Sequence, residues 1–216
     1  MIAPWKFKCD NLHIQFDAEF YPEGMSPWIS EALELLPREA RVSRQMLLTI
    51  SQMHSTCYTD NDFTTSHEAI LKIAADLHST QYYVPVLAIV DAPHSITRGA
   101  FLGYKKHIGK VEFGNDACGF DLANSNNLFQ FNTLPSGRED ITLLPHLTYR
   151  NYRTPDFEAK GLSVLDITDY TATQILKCTL LKTELPFLEK CKIRPITPYK
   201  VGLVSDSFTV NGAQYV

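Results

Sequence analysis

The segment from Met46 to Tyr58, MLLTISQMHSTCY, is the stretch from which the fold is predicted. Most of its residues are strong strand formers, so the segment predicts one long strand or a pair of strands. Because residues i and i+2 of a strand share a face, His54 and Thr56 near its end are expected to point the same way. The segment therefore combines a structural prediction with a candidate chemical pair.

The sequence on either side of this segment predicts alternating strands and helices. Residues 11–20, NLHIQFDAEF, alternate apolar and polar positions, which is typical of a half-buried strand. A helix is expected from Ser26 to Leu36, since the proline that follows Ser26 is tolerated in a first turn. After the segment, N-cap candidates precede apolar residues at helical spacing, which predict a helix over residues 66–77.

The remainder of the chain predicts short strands and one further helix. The run from Tyr82 to Val90 is strongly apolar, and Pro85 within it indicates a sheet edge or a bulge. The Asn211-Gly212 pair predicts a hairpin turn between two strands in residues 200–216. The other expected elements are strands around 100–104, 110–113, 128–132 and 143–152, and a helix over 172–181. This pattern favours an α+β fold built on antiparallel sheets.

Length and composition narrow the class of protein. The 216 residues are 44% hydrophobic with a net charge of −4, which is typical of a globular protein and disfavours nonspecific binding to nucleic acid. No window approaches the roughly 18 uninterrupted apolar residues of a spanning helix, and the first residues lack the layout of a secretory signal. Five scattered cysteines without a C-x-x-C pair indicate reduced thiols. We therefore expect a cytoplasmic protein without membrane association, metal site or cofactor.

Two histidine triplets with the same spacing suggest catalytic chemistry. His54-Ser55-Thr56 and His146-Leu147-Thr148 each place an imidazole and a hydroxyl on one strand face. Two such pairs facing each other would supply a base for the nucleophile and an acid for the leaving oxygen, as phosphodiester cleavage needs. His78 begins a third such triplet, but it lies at the end of the helix predicted over 66–77, where positions i and i+2 diverge.

The order of these elements resembles the two-histidine phosphoesterase superfamily, which includes LigT-like and cyclic phosphodiesterase proteins. The shared features are the duplicated H-x-T, the proline before His146, and a closing segment with Ser207 and the run 212–215, GAQY. The resemblance implies a single bilobal α+β domain over residues 1–216, in which two antiparallel sheets flank a central cleft and helices pack outside. The implied activity is metal-independent hydrolysis of RNA-type phosphodiester linkages, in a cyclic phosphate end, a 2′,5′-linked oligonucleotide or a small cyclic nucleotide.

The resemblance also implies roles for individual residues. His54 and His146 would be the acid–base pair, and Thr56 and Thr148 would hold the phosphate. The expected partner is a nucleotide or short oligonucleotide substrate, and no obligate protein partner is inferred.

Residues near the second triplet and in one lysine-rich segment are secondary candidates. Arg150 shares the expected strand face of His146 and would neutralise phosphate, while Tyr149 and Tyr152 would stack a base. Packing or solvent-facing positions are the alternative for each. The lysines of residues 103–110, GYKKHIGK, would gather phosphates of a longer oligonucleotide, or else belong to a solvated hairpin turn.

Two further functions remain open from the sequence. A cysteine hydrolase would use Cys57 as nucleophile, His146 as base and Asp166 as the orienting carboxylate, although Cys57 lacks a context that would lower its pKa. A non-catalytic nucleotide-binding module would keep the histidine triplets without turnover. The sequence contains no P-loop, dinucleotide fingerprint or H-E-x-x-H motif, which excludes the common NTPases, dehydrogenases and zinc proteases.

Overall fold

The computed structural model describes residues 4–21, 26–56, 63–122, 125–134, 137, 140–154 and 157–216. These residues are mostly β-strand. The helices are α1 (Pro27–Glu34), α2 (Pro93–Leu102) and α3 (Pro186–Lys190). The strands are β1 (Trp5–Phe20), β2 (Arg41–Thr56), β3 (Phe63–Leu77), β4 (Thr80–Val90), β5 (Lys106–Ile108), β6 (Lys110–Phe113), β7 (Ala117–Leu122), β8 (Ser125–Thr133), β9 (Leu147–Thr154), β10 (Phe157–Glu184) and β11 (Ile193–Tyr215).

One 11-stranded sheet organises the described residues. Its order is β5-β4-β3-β2-β1-β11-β10-β8-β7-β6, and β9 pairs with β10 beside this path. All pairs are antiparallel except β4 with β5, which run parallel. The predicted α+β architecture, with two sheets flanking a central cleft, is therefore wrong. The strands that were expected to form separate sheets belong to one continuous sheet.

The central strands bury both of their faces. On β1, Leu12, Ile14 and Phe16 lie in the main hydrophobic core, whereas Asn11 and His13 point to the opposite side and line a cavity. This alternation follows from the two-residue period of a strand. The strand predicted over residues 11–20 is confirmed, with its apolar positions on the core side.

Residues 66–77 form part of β3 and not the predicted helix. Leu71 and Ile73 enter the main core, while the alternate residues Ile70 and Lys72 face the cavity. A strand buried on both faces is apolar along nearly its whole length, and such a run contains helical spacings by chance.

The strand predicted from Tyr82 to Val90 is confirmed as part of β4. Its pairing with β3 shifts between Leu71 and Lys72, opposite Leu87 and Pro85 respectively. The irregularity indicated by Pro85 is thus present as a bulge, which accommodates a residue that cannot donate a backbone hydrogen bond.

The Asn211-Gly212 pair lies inside the continuous strand β11, so the predicted hairpin turn is wrong. The register with β10 shifts here, since Asp166 pairs with Gly212 and Ile167 with Val210. Gly212 has a φ of 145°, a backbone conformation that favours glycine. The turn signal therefore marks a bulge in a long strand.

Two other predicted elements have the opposite secondary structure. The helix expected over 172–181 is part of the 28-residue strand β10, and the strand expected around 100–104 is largely the end of α2. α2 begins at Pro93 and ends at Leu102, and the next residue, Gly103, caps it in the left-handed conformation at φ 83°. Within the described residues, no helix is long and apolar enough to cross a membrane.

Candidate active site

A cavity of about 570 Å³ lies on the side of the central strands opposite the main core. Alternate residues of β1, β2, β3 and β11 line it, together with α2, β5 and the segment before β9. The lining is apolar apart from a small set of polar and ionisable groups, which is typical of a ligand site. The aspartate, glutamate, lysine, arginine and histidine residues among the described lining are His13, Glu68, Lys72, Arg98, Lys106, His146 and Asp206.

Lys106 and Glu68 form a buried ion pair at one end of this set. Their side chains are only 8% and 7% exposed. The Lys106 ammonium also donates to Ser95 Oγ at 3.1 Å and lies 5.5 Å from the centre of the Tyr104 ring. Burial lowers the pKa of Lys106, and Glu68 opposes that change while Arg98 reinforces it.

Arg98 on α2 brings a second cation to this end of the cavity. Its Nη1 donates to Ser55 Oγ at 2.9 Å, and the guanidinium lies 4.6 Å from the centre of the Phe7 ring. The side chain is buried at 2% exposure and lines the cavity. A guanidinium held in this way is suited to bind a carboxylate.

A second buried lysine, Lys72, lies further along β3. Its Nζ donates to Thr49 Oγ1 at 3.0 Å, and His13 Nδ1 lies 3.0 Å from the same hydroxyl oxygen. Burial lowers the pKa of Lys72 to about 8, against the opposing influence of Glu68 and Asp206. Burial and the neighbouring Lys72 lower the pKa of His13 to about 3, so its imidazole is neutral.

The Tyr104 hydroxyl is hydrogen-bonded to His146 Nδ1. Burial, then Lys72 and His13, lower the pKa of His146 well below its usual value, so the ring is neutral. Burial, reinforced by Glu68, raises the pKa of Tyr104 well above its usual value. The tyrosine therefore keeps its proton, and the hydrogen bond joins two neutral groups.

Asp206 on β11 completes the polar lining. Its Oδ1 accepts a hydrogen bond from Asn11 Nδ2 at 3.1 Å, and Asn11 Oδ1 accepts one from Ser51 at 2.6 Å. Burial raises the pKa of Asp206 to about 6, while hydrogen bonds from Asn11 and Tyr170 and the charge of Lys72 limit that rise. Asp206 is therefore a carboxylate near neutral pH.

The structure does not place the two histidines predicted as an acid–base pair in one site. His146 lines the cavity, whereas His54 is exposed and its Nδ1 contacts Thr65 Oγ1 at 3.0 Å. On β2 the cavity residues are Thr49, Ser51 and Met53, so His54 has the opposite parity and points away from them.

The residues predicted to bind a phosphate have other partners. Thr56 Oγ1 accepts the Lys6 backbone N–H at 2.9 Å, and Thr148 Oγ1 donates to the Leu102 carbonyl at 2.7 Å. Arg150 donates to the Phe101 and Ala213 carbonyls at 3.1 and 3.2 Å.

Of the two predicted tyrosines, Tyr149 lies apart from the cavity lining. Tyr149 lines a separate groove of about 380 Å³ between α1, α2, β4 and β9. Tyr152 pairs with Ala159 in the β9–β10 ladder. The structure does not describe the side chain of Tyr152.

The alternative cysteine triad is not assembled in the described residues. Cys57 lies outside them, and Asp166 pairs with Gly212 in the β10–β11 ladder without lining the cavity. Among the described residues, Cys9 is the cysteine that lines the cavity. Burial raises the pKa of its thiol, which is therefore not activated as a nucleophile.

Sequence reasoning missed the functional groups that the fold brings together. In the sequence, Lys106 is indistinguishable from the other lysines of the segment 103–110. In the structure, the Lys105 and Lys110 side chains are 65% and 72% exposed, whereas that of Lys106 is buried. A detectable signal was Lys72, a single cation inside the apolar run 69–75, AILKIAA. A lysine at such a position needs a polar surrounding, and here that surrounding is the cavity.

Comparisons with solved structures identify the fold. The chain is similar over its full length to an acetoacetate decarboxylase-like enzyme from Sphingomonas wittichii RW1, at 15% identity, a TM-score of 0.74 and 94% coverage of that chain. The enduracididine biosynthesis enzyme MppR complexed with pyruvate matches 99% of this chain and 90% of its own, at 12% identity and a TM-score of 0.70. Acetoacetate decarboxylase from Legionella pneumophila subsp. pneumophila str. Philadelphia 1 matches at 13% identity and a TM-score of 0.69, over all of this chain and 88% of that one.

These similarities correct the family resemblance drawn from the histidine triplets. No protein-family model and no curated protein matches the sequence. The solved structures that share this fold are described as acetoacetate decarboxylase-like and enduracididine biosynthesis enzymes, and not as phosphodiesterases. The predicted phosphodiesterase activity is therefore wrong, and the cysteine hydrolase finds no support either. Short H-x-T motifs recur by chance in a chain with seven histidines and many strands.

Proposed function

We propose that this protein is an enzyme that forms an imine between the Lys106 amine and the ketone of a small oxo acid. The observation that carries the proposal is the buried Lys106–Glu68 pair, which opens on an otherwise largely apolar cavity beside the Arg98 cation. A lysine amine becomes a nucleophile when burial or a neighbouring cation favours its neutral form. Lys106 has both influences.

The paired carboxylate completes a balanced reaction. Glu68 takes a proton from the Lys106 ammonium, and the free amine adds to the ketone carbon, forming a C–N bond as the proton on nitrogen moves to the ketone oxygen. Glu68 returns its proton to the resulting hydroxyl, which leaves as water. The product is a protonated imine on Lys106, with the Glu68 carboxylate restored and its charge close to the imine nitrogen.

The positive imine then serves as an electron sink for bonds next to the former ketone carbon. A carboxylate on the neighbouring carbon can leave as carbon dioxide, with its bonding electrons passing to the imine nitrogen. Alternatively, loss of a proton from that carbon gives a nucleophilic enamine. Arg98 is placed to hold a substrate carboxylate beside Lys106.

Names of the structural neighbours support this class of substrate. Two are described as acetoacetate decarboxylase or similar to it, and one is described as complexed with pyruvate. Acetoacetate and pyruvate both carry a ketone close to a carboxylate. We therefore propose a 2-oxo or 3-oxo acid as the substrate of this chain.

Borohydride trapping tests the proposal directly. The protein is incubated with pyruvate or acetoacetate, reduced with sodium borohydride, digested and analysed by mass spectrometry. We expect a reduced adduct on Lys106 that is absent from Lys106→Met. The proposal is overturned if wild-type protein gains no adduct from either acid, or if the adduct persists in Lys106→Met.

The adjacent lysine offers a matched control. Lys105 also pairs with a glutamate, Glu31, but that ion pair lies at the surface, with side chains 65% and 54% exposed. Lys105→Met is expected to form the adduct as the wild type does. This comparison separates the effect of a buried amine from the loss of any lysine in the segment.

A further inference from the structure

We infer that Lys72, Thr49 and His13 form a second anion-binding site, which takes the distal carboxylate of an oxo diacid. This inference rests on the proposed function for the ketone end of the substrate. The second site itself rests on contacts that are independent of Lys106.

The three residues form a continuous polar group across three neighbouring strands. His13 on β1 is directly opposite Thr49 on β2, and Thr49 is opposite Ile70 on β3, two residues before Lys72 on the same face. The Thr49 hydroxyl oxygen lies 3.0 Å from both Lys72 Nζ and His13 Nδ1. All three side chains line the cavity.

This group presents donors that have no acceptor within the described residues. Lys72 donates to the Thr49 oxygen. We assign the single Thr49 proton to the hydrogen bond with His13 Nδ1, which corresponds to the tautomer in which the neutral ring carries its own proton on Nε2. His13 Nε2 is buried and has no hydrogen-bond partner in the described structure, and the residue is 5% exposed. A buried donor without a partner is costly, and a bound carboxylate oxygen would satisfy it.

The balance of charge also favours an anion. Among the described lining residues, three cations, Lys72, Arg98 and Lys106, face two carboxylates, Glu68 and Asp206. Glu68 is in direct contact with Lys106, whereas Lys72 makes no ion pair among the described residues. A ligand carboxylate would form an ion pair with Lys72, which has none among the described residues.

The position of Lys72 indicates a second anionic group and not the carboxylate beside the ketone. Glu68 and Lys72 are four residues apart on β3, which separates their Cα atoms by ~13 Å along a regular strand. Lys106 and Arg98 lie at the Glu68 end. The cavity of about 570 Å³ falls among those that hold ligands larger than a three-carbon acid.

Binding of non-reactive acids tests the site without imine chemistry. Calorimetry compares glutarate, which has two carboxylates, with butyrate, which has one. We expect wild-type protein to bind glutarate at least about tenfold more tightly, because a hydrogen-bonded charge pair contributes that much. Lys72→Met should remove this preference, Lys72→Arg should largely keep it, and the surface variant Lys105→Met should leave it unchanged.

Equal binding of the two acids by wild-type protein, or a preference that survives in Lys72→Met, would overturn the inference. If Lys72→Met does not fold, the wild-type preference at pH 7 and pH 9.5 decides, since it should fall as Lys72 loses its proton above pH 8. Trapping of pyruvate and 2-oxoglutarate on Lys106 is measured in parallel. Absence of both adducts overturns the imine proposal, while the glutarate preference still tests the second site.

Discussion

Lys106 and Lys72, which both line the cavity, differ in how their charges are compensated. Lys106, on the short strand β5, is in direct contact with a carboxylate, Glu68. Lys72, in the middle of β3, donates a hydrogen bond to a hydroxyl, that of Thr49, and forms no ion pair with the described residues. Both are buried, and burial lowers the pKa of each.

This difference indicates different roles for two chemically identical groups. A lysine beside a carboxylate can pass its proton back and forth at little cost in charge, which suits a nucleophile. A buried lysine that is hydrogen-bonded to a neutral group, and that has no ion pair among the described residues, is stabilised when a ligand brings a negative charge to it. The cavity therefore pairs a reactive end with a recognition end.

The largest expected effect comes from removing the proton partner at the reactive end. In Glu68→Gln we expect the rate of adduct formation with pyruvate to fall ~10²–10⁴-fold, the usual contribution of a positioned acid or base. Time-resolved borohydride trapping measures the rate. The surface variant Glu31→Gln serves as control. An unchanged rate of adduct formation in Glu68→Gln would contradict the proposal that Glu68 transfers the proton of Lys106.

Stability provides the next comparison. Lys106→Met leaves Glu68 buried without its partner, so we expect the free energy of unfolding to fall by ~3–5 kcal/mol. The double variant with Glu68→Gln should recover most of this loss, whereas Lys72→Met strands no contacting carboxylate and should cost far less. Urea denaturation measures all three, and equal losses in the two single variants would contradict the distinction.

Gly99 gives a way to displace the reactive lysine without removing it. A Cβ at this position would lie 2.7 Å from Lys106 Cδ, closer than non-bonded atoms approach, so the lysine stem must move. Because small misplacements of a reacting group are costly, Gly99→Ala is expected to slow adduct formation by up to ~10²-fold. Glutarate binding through Lys72 should change much less, and an equal loss of both would indicate general unfolding.

The smallest expected effect is a pH dependence of stability that belongs to the recognition end. Lys72 has a pKa of about 8 in the folded protein, against its ordinary value of 10.5. The unfolded chain therefore binds more protons between pH 8 and 10.5, so this residue makes stability rise with pH across that window. The slope disappears below pH 8, where the lysine is protonated in both states.

The slope is isolated by subtracting the unfolding free energies of Lys72→Met from those of the wild type at each pH. The groups near Lys72 that titrate or carry charge are His13, Glu68, His146 and Asp206. His13 and Asp206 change charge well below this window, at about 3 and about 6. A flat difference curve between pH 8 and 10.5 would show that Lys72 is not desolvated.

The sequence predicted individual strands better than their assembly. Residues 11–20 and 82–90 were identified because one alternates cleanly and the other is a β-rich apolar run. β3 was mistaken for a helix because it is buried on two sides, so the alternation that marks a strand is hidden. The Asn-Gly pair was mistaken for a turn because a bulge demands the same backbone freedom.

The candidate site was harder to predict because its residues come from distant parts of the chain. The order of the strands in the sheet brings together residues from β1, β2, β3 and β11, namely His13, Thr49, Lys72 and Asp206. The spacing of residues along the sequence does not predict that order. The histidine triplets, by contrast, were conspicuous because they are local. His146 does line the cavity, but as the neutral partner of Tyr104.

The alternating faces of the central strands also constrain how this protein can change over evolution. Along β3, even-numbered residues from Glu68 to Lys72 meet the cavity, and odd-numbered residues from Ala69 to Ile73 meet the core. Inserting or deleting one residue there would exchange the two sets, forcing a cation into hydrocarbon and aliphatic groups towards the ligand. New substrate preferences are therefore accessible by replacing side chains in these strands, whereas changes of length must be confined to the connections between them.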